Sequence, residues 1–148
     1  MDPGLGGGLT GDWEELGHRG FLELRMGMSR EEALPGGRIR LGETVGMCTE
    51  FYLAICGDAT PGPHGYFTRG LGLSALRARG GMHTPEGIDL DSSLANVRHS
   101  YARLVGSPEY MTAPVTDDSF YFFTFEQNAV SSFGLALSGD RCLTRWLR

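Results

Sequence analysis

SFYFFTFEQNAVSSFGLAL, residues 119–137, decides the fold class of this 148-residue chain. Two runs of aromatic, β-branched and small residues flank the polar EQNA (126–129), the pattern of a β-hairpin closed by a polar turn. Side chains alternate across a strand, so Phe120, Phe122 and Thr124 share one face while Tyr121, Phe123 and Phe125 share the other. Both faces carry bulky rings. One set forms the core, and the other needs a cover or a partner.

Upstream, IDLDSSLANVRHSYARLV (88–105) has apolar Leu94, Val97, Tyr101 and Leu104 at spacings of three and four, which predicts a helix capped by Asp91 or Ser92. A second such start is SREEAL (29–34). There Ser29 and Glu32 have the spacing of a capping box, Glu31 and Glu32 sit where the helix dipole favours negative charge, and Pro35-Gly36-Gly37 ends the helix early. MCTEFYLAI (47–55) alternates as a strand, with Phe51, Leu53 and Ile55 on one face and Glu50, Tyr52 and Ala54 on the other. GDATPGPHG (57–65) is loop by composition, and YFTRGLGLSALRA (66–78) resumes as strand broken at Gly70 and Gly72.

The two halves thus have the same order: a capped helix, a loop, then a hairpin. Residues 27–33 lie over 91–97, and the strand at 47–55 over that at 119–125. The expected fold is α+β: two helix–β-hairpin repeats, about 19–79 and 80–143, forming one antiparallel sheet with short helices packed on one face. Residues 1–12, with five glycines and a proline, read as a flexible tail before a single domain over 13–148.

Composition narrows the function. All 13 basic residues are arginine, the net charge is -5, and the arginines are scattered, so no basic patch is readable and nucleic acid is not an expected partner. No run is long and apolar enough for a membrane span, and MDPGLGGGLTGD has neither half of a signal peptide. Two locations fit: secreted or cell-envelope with the signal removed, or cytoplasmic. Cys48, Cys56 and Cys142 lack metal-ligand spacing, so no metal or cofactor is expected. In an exported protein Cys48 or Cys56 would bridge to Cys142, leaving one thiol; in a reducing cytosol all three would be small buried side chains.

No catalytic residue can be assigned. His83, His99 and Asp117 or Asp118 make an acid–base set only if the fold gathers them. Asp89, Asp91, Ser92 and Ser93 are explained by helix capping, GLGL (70–73) lacks the third glycine of a dinucleotide loop, and Ser131-Ser132 lacks the context of a hydrolase elbow.

LRMGMSREEAL (24–34) resembles the helix start of small helix-plus-sheet domains of the β-lactamase-inhibitor-protein-like fold and of outer-membrane assembly lipoproteins. HTPEGIDLDSSLANVRHSYARL (83–104) followed by FYFFTFEQNAVSSFGLAL (120–137) is similar to the C-terminal half of actinobacterial exported or lipoprotein domains, in which a helix precedes an aromatic hairpin and a late Cys. The resemblance implies helices on one sheet face, an open opposite face that binds proteins, and no catalytic residues. With the hairpin pattern, it favours Tyr121, Phe123 and Phe125 as core. Phe120 and Phe122, with Tyr52, then form an exposed aromatic face for a protein partner or homodimer. In the other arrangement both faces are covered, by helices or by the N-terminal segment. The expected function is a non-enzymatic, inhibitor-like binding module of an exported bacterial protein. Alternatives are a small cyclase- or hydrolase-type enzyme with a pocket between sheet and helices, and a cytosolic immunity protein.

Overall fold

The computed structural model describes residues 15–54 and 62–145. The tail 1–12, Trp13, Ile55, Cys56 and most of the expected loop 57–65 lie outside the described residues. Two antiparallel sheets of different size and two short helices make up the described fold. The elements are β1 (Gly20–Phe21), β2 (Leu24–Arg25), α1 (Arg30–Ala33), β3 (Ile39–Val45), β4 (Cys48–Leu53), β5 (Gly65–Thr68), β6 (Gly72–Arg77), α2 (Leu94–Ser100), β7 (Val105–Ser107), β8 (Tyr110–Pro114), β9 (Ser119–Glu126) and β10 (Ala129–Leu137). β1 and β2 form a small hairpin. The rest form one eight-stranded antiparallel sheet in the order β3-β4-β5-β6-β10-β9-β8-β7.

Each half contributes four consecutive strands rather than a hairpin, and the halves meet where β6 pairs with β10, Leu76 opposite Leu135. Three strands are added to the expected pattern, β3, β7 and β8, and the first two are the sheet's edges. β3 runs through Gly42 and is mostly exposed, and Val105-Gly106-Ser107 of β7 is exposed throughout, so neither carries an apolar alternation.

The hairpin 119–137 forms as its sequence predicts. Gln127 and Asn128 both adopt positive φ, 52° and 65°, the two-residue turn whose twist matches paired strands. The register shifts between Val130 and Ser132, so Ser131 is an extra residue, and Val130 and Phe133 both reach the core although they stand three apart.

The capping box at α1 is present: the Ser29 hydroxyl accepts the Glu32 amide at 3.1 Å, and Glu32 Oε1 accepts the Ser29 amide at 2.8 Å. A 3-10 turn at Leu34–Gly36 and Gly37 at φ 70° end the helix after one turn. α2 is shorter than the periodicity of 88–105 predicts, and its cap is Ser93, neither Asp91 nor Ser92. The reason is a tether. The Asp91 amide donates to Val130, and the Val130 amide to the Ser92 carbonyl, which holds 91–92 extended against β10; Asp91 itself stands at φ 74°. The Ser92 hydroxyl turns back to Asp89 instead. Tyr101 is the C-cap and Leu104 lies beyond the helix.

Register sorts side chains between two faces. Across the sheet, Leu41, Phe51, Gly65, Leu76, Leu135, Tyr121 and Ala113 stand opposite one another in turn and so share a face. This is the core face, and its cluster takes in Leu16, Phe21, Leu24, Ala33, Ile88, Val97 and Tyr101 from outside the sheet. Gly65 has a reason to be glycine: a Cβ there would lie 2.2 Å from the Phe51 ring and 2.4 Å from the Ala75 carbonyl. The ring occupies the space that a side chain at this position would need. No helix among the described residues is long and apolar enough to cross a membrane.

Candidate functional site

One register step away lies the second face. Arg40, Tyr52, His64, Arg77, Gly134, Phe122, Thr112 and Val105 follow one another across the sheet, the His64 position being fixed by its amide bond to Phe51 and by the bond from the Arg77 amide to its carbonyl. A smaller cluster of Cys48, Tyr66, Ala75, Phe122, Ala136, Cys142 and Leu143 sits on this face, with Tyr110 and Phe120 packed against it. Cys142 and Leu143 come from the segment after β10, which folds back over the sheet.

That segment is fastened at several points. Cys142 is disulfide-bonded to Cys48 at the start of β4, which resolves the open choice between Cys48 and Cys56. The Ser74 hydroxyl donates to Asp140 Oδ1 at 2.6 Å, and Asp140 Oδ2 accepts the amides of Cys142 at 3.1 Å and Leu143 at 2.7 Å, capping the final 3-10 turn Leu143–Arg145.

Phe122 is therefore not on an exposed face, contrary to the open second face that the resemblance implied. It is 1 % exposed, stacks on Tyr110 with ring centres 6.4 Å apart, and lies over Gly134, where a Cβ would meet the ring at 2.6 Å. Tyr121 and Phe123 are buried in the core as expected, while Phe125 is only half-buried. Phe120 and Tyr52 are half-buried. Tyr52 lies under the Arg40 guanidinium, 4.8 Å from ring centre to Cζ, and meets the His64 ring edge-on at 5.6 Å. Burial, then the Asp140 charge, pushes the Tyr110 hydroxyl up from its ordinary pKa.

His64 is the most constrained titratable group on this face. It is fully buried, its Nδ1 accepts the Leu53 amide at 2.6 Å, and its Nε2 has no hydrogen-bond partner among the described residues. Because Nδ1 is an acceptor, the proton sits on Nε2 and the ring is neutral. Burial, followed by the charges of Arg79, Arg77 and Arg40, pushes its pKa down from 6.5 to about 4.

The acid–base set expected from the sequence is not assembled. His99 is exposed on α2, Asp117 and Asp118 are exposed in the β8–β9 turn, and His83 engages the chain through its carbonyl, which accepts the Leu16 amide. The structure instead pairs His18 with Glu86, 2.8 Å from Nε2 to Oε2. The Tyr101 hydroxyl donates to the other carboxylate oxygen at 2.7 Å and accepts from Thr84 at 2.8 Å. Burial alone would raise the Glu86 carboxyl; the bonds from Tyr101 and His18 outweigh it and hold it below its ordinary range. Burial and then the adjoining carboxylate push the Tyr101 phenol well up. His18 borders an open cleft of about 580 Å³ shared with Glu15, Arg19, Leu24, Arg25 and Pro85. The chain offers no local signal for this pair, since the partners are 68 residues apart.

Among the described residues, no three His, Cys, Asp or Glu side chains gather as metal ligands would. No family model matches the chain, and no curated protein or solved structure matches it either.

Proposed function

We propose that this chain is a non-enzymatic, inhibitor-like protein-binding module of an exported bacterial protein. In this reading it is two copies of one unit, a short helix followed by a four-stranded meander, with both helices on the core face and the second face turned to a partner or to a second copy. The resemblance of LRMGMSREEAL to β-lactamase-inhibitor-protein-like domains accords with that plan.

The observation that carries the reading is Phe120, a half-buried ring at the rim of the covered cluster, opposite Pro114 on a face where Tyr52 is also half-open. The Cys48–Cys142 bridge accords with an oxidising compartment. A photo-crosslinking side chain placed at Phe120 or Tyr52, in the envelope fraction of the native host, should give a defined protein adduct. The same probe at Arg25, exposed on the N-terminal hairpin, should give none. Equal adducts from all three positions, or none from any, would sink the reading.

One observation favours a second reading, a small acid–base enzyme: the carboxylate-oriented His18 beside its cleft. Its test is turnover lost in His18→Ala and Glu86→Gln while Phe120→Ser leaves it intact.

A further inference from the structure

The segment Ser138–Arg145 differs from every other cover of the sheet, because it is held to the second face chiefly by one covalent bond. We propose that it is a redox-released strap: reduction of Cys48–Cys142 frees it and uncovers Tyr66, Ala75, Phe122 and Ala136. The release stands on its own contacts; its consequence for partner binding rests on the reading above.

Three observations carry it. First, the strap adds no strand to the sheet, and among the described residues its non-covalent anchors on the rest of the fold are the Ser138 amide on the Asp118 carbonyl at 2.8 Å, Asp140 on the Ser74 and Thr68 hydroxyls, and the Leu143 side chain. Ordering the eight residues 138–145 beyond β10 costs more conformational entropy than one buried leucine and these hydrogen bonds return. The disulfide therefore decides whether the strap stays down.

Second, the two buried sulfurs are not equally covered. Cys142 is 0 % exposed and Cys48, next to the β3–β4 turn, is 7 % exposed, so attack on the bridge falls on Cys48, the less covered partner. Third, a hydroxyl stands beside the leaving sulfur. The Thr68 hydroxyl lies 3.2 Å from Cys142 Sγ; in the bridged state its proton goes to Ser74 Oγ at 2.8 Å, because the Ser74 proton is on Asp140, and it can turn to the thiolate once the bond breaks.

The step balances with a dithiol as reductant. Its thiolate bonds to Cys48 Sγ, the Cys48–Cys142 bond breaks, and Cys142 leaves as a thiolate that takes up a proton. The second thiol of the reductant then displaces Cys48, which is also protonated. Two electrons and two protons pass to the protein, and the dithiol becomes a disulfide.

Hydrogen exchange on the full chain, before and after dithiothreitol, tests the release. Peptides covering 138–145 should lose protection by roughly tenfold or more on reduction, while peptides covering 119–137 keep theirs. Cys142→Ser should behave as the reduced protein does, and Asp140→Asn should speed strap exchange further once reduced. Unchanged protection over 138–145, or collapse of the whole sheet together with the strap, overturns the proposal. Crosslinking from Phe120 in the same samples separates the two readings. Release with stronger crosslinking supports both; release with no crosslinking in either state leaves the strap standing and rejects the binding face.

Discussion

Acid should destabilise this protein through His64, and the window and size of the effect follow from its surroundings. The ring is fully buried and neutral, with a folded pKa of about 4 against an ordinary 6.5. A histidine held neutral in the fold takes up its proton only on unfolding. Its contribution is therefore constant above pH 6.5 and declines as pH falls from there to about 4, where the folded state also begins to protonate. At pH 4.5 the loss from this one group is about 2 to 3 kcal/mol. Urea unfolding at pH 7 and pH 4.5 measures it, provided that carboxylates titrating near the lower pH are subtracted. His64→Asn supplies the subtraction, since its amide oxygen can still accept the Leu53 amide that Nδ1 holds at 2.6 Å, while nothing remains to titrate. The variant should be weaker at pH 7, from the volume lost, yet lose about 2 to 3 kcal/mol less than the parent on acidification. Equal losses in the two proteins, or a His64 resonance that titrates near 6.5, would refute the reasoning.

Ser29→Ala removes one arm of the capping box at α1 and should cost about 1 kcal/mol in chemical denaturation, with the sheet signal in circular dichroism unchanged. Gly134→Ala places a Cβ 2.2 Å from the Leu76 carbonyl and 2.6 Å from the Phe122 ring at the seam between the two halves, and should lower stability by about 3 kcal/mol or more. Cys48→Ser with Cys142→Ser opens a loop closed across 94 residues and should cost about 2 to 5 kcal/mol, read as a lower thermal midpoint; no change would mean that the denatured chain gains little freedom from losing the bridge.

What the sequence made legible divides along physical lines. The capping box and the hairpin turn are set by near neighbours, Ser29 with Glu32 and Gln127 with Asn128, so spacing along the chain was enough. β3 and β7 were not legible because edge strands exposed to water need no apolar alternation. The capping residue of α2 lies one or two positions beyond the expected Ser92 or Asp91 because backbone bonds to Val130, a tertiary contact, overrode local preference there. At the candidate site alternation separates Phe120 and Phe122 from Tyr121 and Phe123, and Phe120 and Tyr52 are half-buried; nothing near Phe122 announces a strap arriving from residue 142, and nothing near His18 announces Glu86.

The aromatic run in β9 carries more information than a choice of core face. A strand with rings on both faces needs cover on both, and burial along β9 follows the cover it receives. Tyr121 and Phe123 contact Tyr101 on the core face, with ring centres 5.9 and 5.5 Å apart, while Phe122 lies within the cluster that includes Cys142 and Leu143 on the other. Here the molecule is three layers thick, and all three rings are buried. Toward the hairpin end, Thr124 and Phe125 are half-buried and Glu126 is exposed, as the strand runs out from under both covers. Phe120, half-buried at the opposite end, meets the same condition on the second face only, because its neighbours Ser119 and Tyr121 are fully covered. Coverage thus fails at Phe120 on one face alone. A ring left there by a chain able to bury its neighbours on either side is a different matter from an unburied residue at a fraying strand end, and it makes Phe120 the position where a crosslinking probe is most informative.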